Sequence, residues 1–115
     1  MKETGKQGLT KQVTKFLQIM EGIYPICWYR NHQTLGSRKG RPDFEIILDA
    51  LYLNDDSYVE TIYIELKIGN NKLSNSQLKE QQRIEKAGAQ YHICRSLEDV
   101  AQIFYNHGYT RFEIL

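Results

Sequence analysis

Asp43, Glu65 and Lys67 are the residues whose types and spacing suit chemistry on a phosphate ester. Glu65 and Lys67 lie in the stretch YIELKIG, residues 63–69. Side chains of a strand alternate between its faces. Ile62, Ile64, Leu66 and Ile68 therefore share one face, and Thr61, Tyr63, Glu65 and Lys67 the other. An acid and a base two residues apart are usually a surface ion pair. Here a second acid joins them. Residues 44–53, FEIILDALYL, and residues 58–68 read as the arms of a hairpin, with the turn at residues 54–57, NDDS. That turn sets Asp43 opposite about Lys67 and Ile68, so Asp43, Glu65 and Lys67 gather at the open end. Two carboxylates can hold a hard divalent cation such as Mg²⁺ through oxygen, with positions left for water and phosphate. The backbone carbonyl of Leu66 is a further candidate ligand. A lysine on this face can stabilise the charge that grows in phosphoryl transfer.

The preceding loop brings positive charge to the same edge. SRKGRP, residues 37–42, carries Arg38, Lys39 and Arg41, with Gly40 for a sharp turn and Pro42 before the strand. With Arg30 and Lys72 these are the candidate nucleic-acid-binding residues. Gln77, in the first turn of a following helix, can face this end and orient Lys67 or a water. Net charge is only +1, but it is unevenly spread. Residues 1–42 hold eight Lys/Arg against Glu3 and Glu21, and residues 43–60 hold six acids and no base. Phosphate binding depends on such local patches, not on the total.

The elements that must position these groups follow from pattern. Val13, Phe16, Leu17 and Met20 form the stripe of an amphipathic helix over about 10–21, capped by Thr10 and stopped by Gly22, with residues 1–8 as a tail. Residues 26–30 read as a short strand. Ser74 or Asn75 caps a polar helix to about Ala87, in which Leu78, Ile84 and Ala87 face inward. Residues 90–94 read as a strand. Ser96 with Asp99 opens a last helix to about His107, with Leu97, Val100, Ala101 and Phe104 inward. TRFEIL, residues 110–115, reads as a final strand. The expectation is one α/β (α+β) domain with a mixed sheet in the order αβββαβα. The strand at 90–94 should run parallel to the hairpin's second arm, from which a helical crossover separates it.

At 115 residues the chain can build one core without staples. No apolar run approaches the length of a bilayer span, and the first residues carry no signal-peptide core, so the expected setting is cytoplasmic. Cys27 and Cys94 read as reduced core or near-core residues, and His32, His92 and His107 have no ligand-like spacing.

GRPDF (residues 40–44), YIELKIG (63–69) and LSNSQ (73–77) together resemble the PD-(D/E)xK nuclease superfamily. More closely they resemble its virus-type replication-repair nuclease domain, VRR-Nuc. GAQYHICRSLEDV, residues 88–100, is similar to that family's ending. The resemblance spans about residues 9–105. It implies a restriction-endonuclease-like core, a Mg²⁺ or Mn²⁺ cofactor and phosphodiester hydrolysis. It also implies Asp43 and Glu65 as metal ligands, Lys67 as the catalytic lysine and Gln77 as a supporting amide. Stand-alone, phage-borne members of this size resemble Holliday-junction resolvases and tend to be homodimers. Tyr24, Trp28, Tyr29, Tyr105, Tyr109 and Phe112 are aromatic groups available to a dimer. One departure lies in the first helix, where the family has a glutamate. Here LTKQVTK sets Lys11 and Gln12 at that place, with Glu3 earlier and Glu21 later. Two functions stay open: a metal-dependent, structure-selective DNA endonuclease, or a nucleic-acid-binding module of the same fold with weak or no catalysis.

Overall fold

The computed structural model describes residues 5–31, 39–49 and 59–110. Its elements are α1 (Gly5–Ile23), β1 (Cys27–Arg30), β2 (Phe44–Asp49), β3 (Val59–Leu66), α2 (Asn75–Lys86), β4 (Gln90–Cys94) and α3 (Leu97–Asn106), the order expected from the sequence. The strands form one mixed sheet in the order β1-β2-β3-β4. The β1/β2 and β2/β3 pairs are antiparallel, and β3/β4 is parallel. The helical crossover between β3 and β4 produces that parallel pair. Among the described residues no helix is long and apolar enough to cross a membrane.

Alternation along β2 and β3 decides where the core sits. Phe44, Ile46 and Leu48 meet Ile62, Ile64 and Leu66 on one face, all fully buried. Against them pack Leu9, Val13, Phe16, Leu17 and Met20 of α1, and Val100, Ala101, Ile103 and Phe104 of α3. Phe16 meets Phe104 edge to face at 5.6 Å, and Tyr24 meets Tyr109 the same way at 4.7 Å. Each buried Leu, Ile or Phe contributes about 1.5–3 kcal/mol, so this face supplies most of the stability.

Several expectations are corrected. Helix α1 starts at Gly5, not near Thr10, so residues 5–8 are helix rather than tail. Leu9 extends the apolar stripe backward by a turn, and the Thr10 hydroxyl donates to the Lys6 carbonyl at 2.8 Å, as an interior residue does. Helix α2 buries Glu80, while Leu78 and Ala87 are exposed and Ile84 is only half-buried. Cys94 is buried but Cys27 is exposed. Tyr24 and Tyr109 are core residues, which removes them from any dimer surface; Tyr29 and Tyr105 are exposed. The turn at residues 54–57, the strand at the C-terminus, Phe112 and Arg38 lie outside the described residues.

The hairpin register also differs. Phe44 pairs with Ile64, and Ile46 with Ile62. Asp43 is therefore carried toward Glu65 and Leu66, not toward Lys67 and Ile68. Directly opposed residues share a face, so the inward residues of the two strands must oppose one another.

Candidate active site

Three segments converge beyond the paired end of β2 and β3. Asp43 immediately precedes β2, and its Oδ2 accepts the Leu66 N–H at 2.8 Å. That bond satisfies a backbone donor just past the last residue pair of the ladder and holds the carboxylate beside the end of β3. The Leu66 carbonyl leaves the strand on the same side as its N–H, toward Asp43. Glu65 points away from the core yet is only 1% exposed. It is covered by the start of α2, where Gln77 Nε2 donates to Glu65 Oε2 at 3.2 Å.

The start of α2 is built to present that amide. Ser74 is the N-cap, with its side chain accepting the Gln77 N–H at 3.2 Å. The Gln77 Oε1 accepts the Ser74 N–H at 2.8 Å and completes a capping box. Gly40 lies against this turn with φ +85°, and a Cβ there would come within 2.5 Å of the Ser76 carbonyl oxygen. The backbone of the basic loop and the first turn of α2 therefore touch, which only glycine permits.

The residue that the sequence reading missed is Lys6. Its Nζ lies 3.2 Å from Asp43 Oδ2 and 3.1 Å from Glu65 Oε2. The helix-one group that meets the acidic pair is thus a cation, neither Lys11 nor Gln12. The signal for it was Leu9, which carries the stripe of α1 back and sets Lys6 one turn ahead of the buried face. Burial opposes the Lys6 charge, but the carboxylates of Asp43 and Glu65 outweigh it and raise its pKa above the usual lysine value.

Electrostatically the pair is unequal. Burial, then the nearby charge of Asp43, pushes the Glu65 carboxyl up to about 7, and Lys6 only partly offsets this. Glu65 Oε2 takes both Lys6 and Gln77, while Oε1 is buried and accepts no hydrogen bond. A buried carboxylate oxygen without a partner is costly. Such an oxygen beside a second carboxylate suits a hard cation with oxygen ligands. Among the described residues no group of three or more His, Cys, Asp or Glu side chains could hold a metal ion. Mg²⁺ is commonly held by one or two carboxylates with waters and substrate phosphate, so Asp43 and Glu65 fit it.

A cavity of about 170 Å³ opens over the pair, lined by Lys6, Gly40, Arg41, Asp43, Glu65, Ser74, Ser76 and Gln77. Arg41 also lines a neighbouring cavity of about 270 Å³ that reaches Tyr63, Glu80 and Arg83. Lys39 is exposed beside Arg41. Arg30, at the end of β1, is exposed and pairs with Phe44, next to Asp43. Lys72 is exposed in the loop before α2. Lys67 follows the end of β3; its N–H donates to the Cys94 carbonyl at 3.1 Å, and its side chain is not in the cavity wall. Ile68 still packs on the core, so the alternation continues and Lys67 keeps the face of Glu65. Asp43, Glu65 and Gln77 are brought together with Arg41 in the cavity wall, whereas Arg30, Lys39, Lys67 and Lys72 do not line it.

No protein-family model, curated protein or solved structure matches the chain.

Proposed function

We propose that the chain is a metal-dependent, structure-selective DNA endonuclease with a restriction-endonuclease-like core of the VRR-Nuc kind. The observation that carries this reading is the Asp43–Glu65 pair, with one buried oxygen lacking a partner, at the floor of an arginine-edged cavity. A phosphate suits this cavity on two further counts. Arg41 is at its rim, and the first turn of α2 adds the positive end of a helix.

On this reading Asp43, Glu65 and the Leu66 carbonyl would hold Mg²⁺ or Mn²⁺, and the ion would supply Lewis-acid polarisation of the phosphate and a lowered pKa for water. Gln77 fixes the rotamer of Glu65. Lys67 supplies positive charge to the phosphoryl oxygens as charge builds up. Arg41 binds a flanking phosphate, and Arg30, Arg38, Lys39 and Lys72 are the further candidates for phosphates that set the register of the DNA. Resolving a four-way junction takes two cuts on separate strands, which a twofold homodimer provides. Tyr29 and Tyr105 are its exposed aromatic candidates. The setting is the cytoplasm of a bacterial or phage-infected cell.

One observation favours the second reading, a nucleic-acid-binding module of the same fold with weak or no catalysis: a lysine ammonium already bridges the two acids. Cleavage of duplex, single-stranded, flap and four-way-junction DNA, in Mg²⁺ and in EDTA, separates the two. Binding without cutting of any substrate in Mg²⁺ or Mn²⁺ would establish the second. Light scattering tests the dimer by the mass, either that of the 13.5 kDa chain or about twice it.

A further inference from the structure

Lys6 already occupies one oxygen of each carboxylate that a cation between Asp43 and Glu65 would draw on. Its Nζ is 3.2 Å from Asp43 Oδ2 and 3.1 Å from Glu65 Oε2. A Mg²⁺ ion requires its oxygens at about 2.0–2.1 Å. An ion bound to this carboxylate pair, the unpartnered Glu65 Oε1 included, would lie within a few ångströms of the ammonium, with like charges facing in a poorly solvated place. Both cannot hold the pair in this arrangement. The geometry also offers a way out. The Lys6 side chain is 43% exposed, its stem is long and flexible, and the cavity over the pair opens to solvent. The backbone of Lys6, in contrast, is held: its carbonyl accepts the Thr10 hydroxyl, and Leu9 and Thr10 are buried. The side chain can leave while the helix stays.

We propose that Lys6 is a tethered competitor for the divalent cation: the ion binds Asp43 and Glu65 by displacing the Lys6 ammonium, so α1 sets the metal affinity of the site. This inference rests on the reading of the acidic pair as a metal site. Competition of this kind lowers apparent affinity by the fraction of molecules in which the site is free. A bridge made in nine molecules of ten weakens the binding about tenfold. The acidic pair keeps a counter-charge when no metal is present, and Glu65 is not left as a buried bare anion. Lys6 is a positioning residue on this account. It acts on the ion by vacating its ligands.

The test is calorimetric titration of Mn²⁺ into wild-type protein, Lys6→Met, Lys6→Arg and Asp43→Asn at one pH. Lys6→Met should bind Mn²⁺ about tenfold or more tightly than wild type, and Lys6→Arg, which keeps the cation, should not. Equal or weaker binding by Lys6→Met, with binding still abolished in Asp43→Asn, overturns the competition alone. No Mn²⁺ binding by folded wild type and Lys6→Met overturns the metal reading as well. If Lys6→Met does not fold, the wild type decides. The Lys6 side-chain methylene next to nitrogen should lose its held, inequivalent proton signals as Mg²⁺ saturates the protein. Signals that stay fixed at saturation overturn the proposal.

Discussion

The side-chain amide of Gln77 joins the cap of α2 to the buried carboxylate of Glu65. Its oxygen accepts the Ser74 N–H at 2.8 Å, and its nitrogen donates to Glu65 Oε2 at 3.2 Å. The two duties are separable by mutation. Gln77→Glu retains an acceptor for the cap but removes the donor and sets a second charge beside Glu65. Its far-UV spectrum should match wild type while Mg²⁺-dependent cleavage disappears. Gln77→Ala removes both hydrogen bonds and should cost about 1 kcal/mol of stability, read by denaturant unfolding. Full cleavage by Gln77→Glu would remove the amide from the site.

Asp43→Asn should abolish cleavage and leave the fold intact. The new amide oxygen can still accept the Leu66 N–H, so what disappears is charge, not shape. A folded variant that cuts at the wild-type rate in Mg²⁺ contradicts the assignment.

On the proposed mechanism, in which its charge acts on the transition state, Lys67→Met should lower turnover on the order of 100- to 1000-fold with little change in DNA affinity. Replacing Lys39 and Arg41 by alanine should do the reverse. Affinity falls, and the slope of log affinity against log salt flattens by about one unit for each phosphate no longer neutralised. An unaltered slope would place that loop away from the DNA.

Gly40→Ala should destabilise the protein by about 1–3 kcal/mol or prevent docking of the loop on α2. The cause is twofold: φ is +85°, and the added Cβ meets the Ser76 backbone at 2.5 Å. Thermal unfolding measures it. The control is Gly22→Ala, where nothing lies within 4 Å of a Cβ. That change, in the last turns of α1, should be neutral or stabilising.

In EDTA the pH dependence of stability should carry the mark of Glu65. Its folded pKa of about 7 lies above the ordinary 4.5, so folding favours the protonated carboxyl. The contribution is present in full below about 4.5 and is lost as pH rises through about 7. The melting temperature of the metal-free protein should therefore decline across that window. Glu65→Gln should remove the decline, and Mg²⁺ should flatten it in wild type. Matching profiles for wild type and Glu65→Gln would show that Glu65 titrates elsewhere.

The core and element order were legible because period-2 and period-3.6 patterns report burial directly. Phe44, Ile46 and Leu48 against Ile62, Ile64 and Leu66 needed only alternation. The register needed one step more. All six inward residues have even numbers, so opposed pairs must add to an even number, and the expected turn implied an odd one. Glu80 was not legible: a polar helix reads as solvated, and only the tertiary fold shows that this carboxylate lies under α2 and meets Arg83 at 2.6 Å. Lys6 was hidden differently. Local signals ended α1 at Thr10, a good cap residue, but the buried stripe continued to Leu9 and packing extended the helix past it.

Lys6 and Glu65 are 59 residues apart in the chain, and the amide that holds Glu65 comes later still. During synthesis α1 and Asp43 are made before Gln77. A nascent chain therefore has separate, solvated charges where the finished protein has a buried acidic pair. Closing so long a loop has an entropic cost that only the packed sheet offsets. The acidic pair is assembled late, with the native fold, and a partly made chain carries its charges apart.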